Sequence, residues 1–190
     1  MRTKSTTLAL FLGVAALPMA FAAEMEPTAK PAAVEPVERA VDAMEAQAAP
    51  AYANAAAIAD MYEIEAANIA WERSASEDVK AFAKMLIADH TATSAKLKVL
   101  VDQADGSLSS SLDDEHKAMI AALNDADDAV FNKVFLDQQV AAHEKALKLH
   151  TAFAEKGDRE EFRAFAGDTA KAVEAHLEQA RALAGGVSVN

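Results

Sequence analysis

Large apolar residues return at helical intervals in four long stretches of this chain. In the second stretch Val79, Phe82, Leu86, Leu97 and Leu100 lie three, four, seven or eleven positions apart, which winds them onto one stripe of an α-helix. The first, residues 51–73, repeats Tyr52, Ala55, Ile58, Ala59, Tyr62, Glu65 or Ala66, and Ile69. In the third, residues 129–156, Leu136, Val140, His143, Leu147 and His150 share a stripe, with Phe131, Phe135, Ala142, Leu149 and Phe153 beside it. The fourth buries Phe162, Phe165, Ala166, Thr169, Val173, His176, Leu177, Ala180 and Leu183.

The polar positions between these stretches punctuate them. Pro50 suits a first helical turn, where its missing N–H costs nothing. Ser76, followed by Glu77 and Asp78, is an N-cap with acids in the first turn. Residues 105–111, DGSLSSS, form a loop, and Asp113 or Asp114 then caps a short helix running through Leu123. Gly157 closes the third long helix as a C′ glycine, Asp158 caps the fourth, and Gly185-Gly186 ends it. Four amphipathic helices of similar length bury their stripes together as a bundle, so the expected fold is all-α, with one short extra helix in the middle connection. That connection, roughly residues 104–128, is long enough either to cross the bundle lengthwise or to cap one end.

Composition agrees and adds the ends. The chain is 52% apolar but only 6% aromatic, with alanine making much of the difference, and Gly (6) and Pro (5) lie almost entirely outside the periodic segments. Residues 1–22 have a basic start, a short apolar run and an Ala20-Phe21-Ala22 site, the pattern of a secretory signal cut after Ala22. Residues 23–50 are rich in Ala, Pro and Glu and are expected to be a flexible linker. The bundle is then residues 51–184, and 185–190 a frayed tail. The formal charge of −12 repels nucleic acid and anionic lipid and favours soluble cations. Absence of cysteine removes disulfides, thiolate metal ligands and a cysteine nucleophile, so a metal would sit on His and carboxylate.

Each long helix carries one ionisable residue on or near its inner stripe: Glu65, His90, His143 and His176. At about 1.5 Å of rise per residue, all four fall within a few turns of one another near mid-bundle. Inward His and carboxylate side chains from separate helices are how bundles build metal sites, with zinc, iron, copper, manganese or nickel as the candidate ion and Glu63, Asp89 and Gln139 as neighbours. Each histidine taken singly is better explained as a hydrogen-bonded core residue; it is three inward histidines on three helices that exceed what packing suggests. His116 and His150 are placed at the surface or rim, and Trp71 as packing at a helix end. No Gly-x-Ser-x-Gly, phosphate loop, His-Glu-x-x-His or dinucleotide fingerprint occurs, so no enzyme class is supported.

Four segments, Glu63-Ile64-Glu65, Phe82-Ala83 with Asp89-His90-Thr91, Gln139 to His143, and His176-Leu177, resemble a bacterial ferritin-like family known as domain of unknown function 4142. The resemblance spans residues 51–184 and implies an exported ferritin-like four-helix bundle of unsettled role, in the periplasm or secreted. Asn132 and Phe135 stand where members commonly carry Asp and Tyr, and Ala170-Lys171 replaces a usual Leu-Pro. Ile87 and Val173, three residues before His90 and His176, break the Glu-x-x-His pattern of di-iron bundles. The expected function is therefore a ferritin-like bundle binding a transition metal in its core. The alternative is an envelope interaction or stress-related protein, docking a partner or a second copy through its acidic surface and arm.

Overall fold

The structure, a computed structural model, describes residues 48–186; the expected signal (1–22), nearly all of the expected linker (23–50) and residues 187–190 lie outside that range. The described residues are all-α: α1 (Ala49–Arg73), α2 (Glu77–Gln103), α3 (Asp114–Asp125), α4 (Asp128–Lys156) and α5 (Glu160–Gly186). No helix among them is long and apolar enough to cross a membrane. The long helices pair α1 with α2 and α4 with α5, and the pairs meet through α1 on α4 and α2 on α5.

Helix ends follow the local chemistry, with three exceptions. Ser76 caps α2 through Val79 N–H, Asp113 caps α3 through His116 N–H, and Pro50 sits in the first turn of α1. Asp105, at φ 52°, ends α2 in the left-handed region that Asp tolerates, while Gly106 N–H donates back to Val101 O at 2.9 Å. Asp158, expected to cap the last helix, instead accepts from Ala49 N–H at 2.9 Å, satisfying one of the free donors that begin α1. Gly157 is not left-handed (φ −58°); glycine is needed there for space, since a Cβ would run into the Phe153 ring. Helix α5 continues through Gly185 and Gly186.

Of the face expected for α1, Tyr52, Tyr62 and Ala66 are buried, but the rest of the buried face is rotated from it. Ala53, Ala56, Ala57, Asp60, Glu63, Ala66, Ala67 and Ala70 are buried, Ala55 is exposed, and Ile58 and Ile69 are only half-buried. Alanines line the buried face, as close helix approach requires, and they carry too little hydrophobic contrast to mark which alanines face inward. Glu65 is likewise exposed, two positions and so about 200° around the helix from the buried Glu63. Trp71 is 52% exposed and does not pack at the helix end as expected.

The middle connection crosses lengthwise. Ser109 N–H bonds Asn54 Oδ1 near the start of α1, whereas Arg73, at the end of α1, bonds Leu123 O, Asn124 O and Ala126 O. Residues 104–127 therefore travel the length of α1, and α4 starts at the end where α2 started, parallel to it. Arg73 secures this arrival. Its guanidinium takes the free carbonyls at the end of α3, pairs with Asp128 at 2.9 Å and lies 4.5 Å over the Phe131 ring. Replacing Arg73 by Met is expected to lower stability by about 1.5–3 kcal/mol, since three carbonyls lose a charged donor. Urea unfolding with an unchanged slope checks this, and Arg73→Lys should recover only part, one ammonium being unable to serve every acceptor.

Candidate metal centre

His90 on α2, His143 on α4 and His176 on α5 meet at mid-height, each 6% exposed or less. Their ring centroids form a near-equilateral triangle, 5.7 Å for His90–His143 and 5.5 Å for each of the other two pairs. One ring nitrogen from each lies within 4.8 Å of the other two, and no carboxylate of the described residues completes that group.

One nitrogen of every ring is anchored, each time by a group that can only accept. His90 Nδ1 is 2.8 Å from Asp60 Oδ1, His143 Nδ1 is 2.9 Å from Gln139 O, and His176 Nε2 is 3.0 Å from Asp89 Oδ2. Facing a carboxylate or carbonyl, that nitrogen carries the proton of the neutral ring, which leaves a lone pair on the other. Those other nitrogens, His90 Nε2, His143 Nε2 and His176 Nδ1, are buried and have no hydrogen-bond partner. Glu63 Oε2 and both polar atoms of the fully buried Gln139 side chain are also unpartnered.

Electrostatics keep two of the rings neutral. Burial, aided by the neighbouring His90, pushes His143 down to about 3. Burial also lowers His176, against the opposing Asp89 bond. For His90 burial works in the same direction, but the Asp60 hydrogen bond and the charges of Glu63, Asp60 and Asp89 outweigh it and raise the ring. Burial pushes the Glu63 carboxyl up to about 7, with His90 opposing. Glu63 Oε1 stands 3.6 Å from His143 Nδ1, beside that ring but beyond a good hydrogen bond.

Of the expected residues, His90, His143 and His176 come together. Glu63, Asp89 and Gln139 surround them as neighbours, and Glu65 lines a separate groove with Ser110, Ser111 and Leu112. Asp60 was missed, though it holds both His90 and, at 3.0 Å, Ser94 Oγ. Its signal was the i, i+3 spacing to Glu63 along the alanine face. His150, expected at the rim, is 4% exposed and bonds Tyr52 Oη at 2.9 Å; burial pushes it down to about 4. His116 does stay at the rim, its ring against Tyr62 and its Nδ1 on Asp113 Oδ1. A cavity of about 530 Å³ opens beside the cluster, bounded by His90 and His143 at its buried end.

Among solved structures, CopM in the Cu(II)-bound form is similar to this chain, with a TM-score of 0.64, 16% identity, and coverage of 73% of this chain and 97% of that one. At that identity the likeness concerns the fold. No curated protein matches the chain. The family model for a domain of unknown function (DUF4142) matches residues 34–183, most of the chain, which therefore belongs to that family.

Proposed function

We propose that this is an exported metal-binding protein, a ferritin-like four-helix bundle holding one transition-metal ion between His90, His143 and His176. The observation that carries the reading is the set of three buried, unpartnered ring nitrogens, each made a lone pair by an acceptor on the far side of its ring. Left empty, such atoms cost about 1–3 kcal/mol each. One ion relieves all three. Acceptors on the distal nitrogens are also what metal-bound imidazoles use to fix ring orientation and raise basicity. Three nitrogens around an ion at about 2.1 Å stand roughly 3.4 Å apart, and here they already lie within 4.8 Å of one another. Imidazole suits copper, zinc, nickel and iron, and among divalent ions the general affinity order favours Cu(II). The fold likeness to a protein seen with Cu(II) makes copper the first ion to test. The single lengthwise crossover supports the ferritin-like topology, and residues 1–22 support export.

Elemental analysis and copper titration of the mature protein test the site. His90→Ala and His143→Ala are each expected to weaken binding by about 100-fold or more, and Asp60→Asn by about 10–100-fold through its grip on His90. His116→Ala, outside the triangle, should bind as the parent does; an equal loss there would place the ion elsewhere.

The metal-free protein makes a separate test of the buried carboxyl. Because Glu63 titrates near 7 when folded against 4.5 ordinarily, the folded chain holds the extra proton between those values. Its contribution to stability therefore falls as pH rises through that window and is fully unfavourable above about 7. Glu63→Gln should then be more stable than the parent above neutral pH, by up to about 3 kcal/mol. The gain should vanish on acidification towards 4.5, as thermal unfolding across that range would record.

A further inference from the structure

The cavity beside the cluster has two chemically different ends. At the solvent side Lys145 Nζ donates to Glu115 Oε2 at 2.6 Å, joining α4 to α3 across the rim. At the buried side stand Glu63, His90 and His143. The wall between is aliphatic, with Ile58 and Ala59 from α1 facing Ala146 and Leu149 from α4. A volume of about 530 Å³ is far more than an ion and its waters need. It falls within the range of sites that enclose a small organic molecule, and an apolar wall ending at a few convergent polar atoms is their usual form.

Two further observations say what that molecule would present to the centre. His90 and His143 border the cavity whereas His176 does not, and among the described residues no carboxylate lies within 4.8 Å of all three ring nitrogens. The cavity is therefore the open side of the group, from which a fourth donor can reach the ion. Charge fixes its type. A divalent ion on three neutral imidazoles brings two positive charges, and the buried carboxyls of Asp60 and Glu63 already stand beside it to offset them. An anionic donor would add a third negative group to a low-dielectric site. An uncharged donor adds none.

We propose that the cavity binds a small, mainly apolar molecule whose uncharged Lewis-base atom takes the fourth position on the three-histidine ion. The inference rests on the metal reading above and names the ligand class of that same site.

The test uses the full mature chain loaded with Cu(II), titrated with 4-phenylimidazole, imidazole and phenylacetate while the copper spectrum is followed. 4-Phenylimidazole carries the donor and the apolar body, imidazole the donor alone, and phenylacetate the body with an anion. The expected result is one 4-phenylimidazole per ion with copper retained, bound about tenfold or more tightly than imidazole because the phenyl group is buried. Phenylacetate should leave the spectrum unchanged. Ala146→Leu narrows the α4 wall one turn beyond His143, and Ala59→Leu narrows the α1 wall. Each should keep copper and its imidazole response and lose most of the phenyl advantage, so one variant suffices if the other misfolds. Equal affinity for imidazole and 4-phenylimidazole, copper stripped by the probe, tighter binding of phenylacetate, or an advantage unaffected by both wall variants would overturn the proposal while leaving the metal site standing. A parent protein that takes up no ion would overturn both.

Discussion

A buried imidazole has two nitrogens to satisfy, and in this protein each of the three central rings satisfies only one of them from within the fold. The Asp60–His90 bond, 2.8 Å between two nearly buried side chains on α1 and α2, is the firmest of these anchors. It determines what α1 can be made of. For Asp60 to reach His90 across the helix pair, the two backbones must come close, and the run of alanines around Asp60 and Glu63 provides that closeness. A larger residue at Ala56 or Ala67 would part the helices and leave a buried carboxylate without its partner, one of the more expensive errors a core can contain.

The other two anchors depend on where α4 and α5 arrive. Gln139 O lies one turn before His143 on the same helix, so that ring is oriented locally whatever α4 packs against. Its meeting with His90 is not local. It follows from the lengthwise crossing, which starts α4 beside Arg73 and sets α2 and α4 parallel, so that His90 and His143 reach the same height about as far from the start of each helix. His176 comes back from the opposite end in the following turn, and Asp89, next to His90 in sequence, turns outward far enough to hold it at 3.0 Å. The dyad Asp89-His90 thus serves two rings, one as anchor and one as lone pair. The same arrangement leaves an aliphatic space between α1 and α4, roofed at one side by α3, which runs through the crossover.

Helical periodicity made α2, α4 and α5 legible because their large residues dominate one face: Phe82 and Leu86, Phe135 and Leu136, Phe162 and Val173 are buried as expected. On α1 the same rule found Tyr52, Tyr62 and Ala66 but took Ala55 and Ile58, and Glu65, where the structure buries Ala56 and Glu63. Alanine carries little hydrophobic contrast, so a face defined by close approach leaves a weak imprint on periodicity. His150 was misplaced for a related reason. Its position one heptad after His143 put it on the buried stripe, but whether it met Tyr52 or water depended on how tightly the α1–α4 end closed.

The sequence by itself determined an all-α chain, the helix boundaries within a few residues, and three histidines on the inner faces of three helices. It did so because helical propensity, capping and amphipathic repeat are properties of neighbours a few residues apart. Only the tertiary structure decided that the connection runs lengthwise, that Asp158 serves α1, that Glu63 and Asp60 stand inside while Glu65 faces out, and that the three rings meet, each with one nitrogen unpaired. Those facts join groups 30 to 109 residues apart, and no local rule encodes a distance that exists only once the helices have packed.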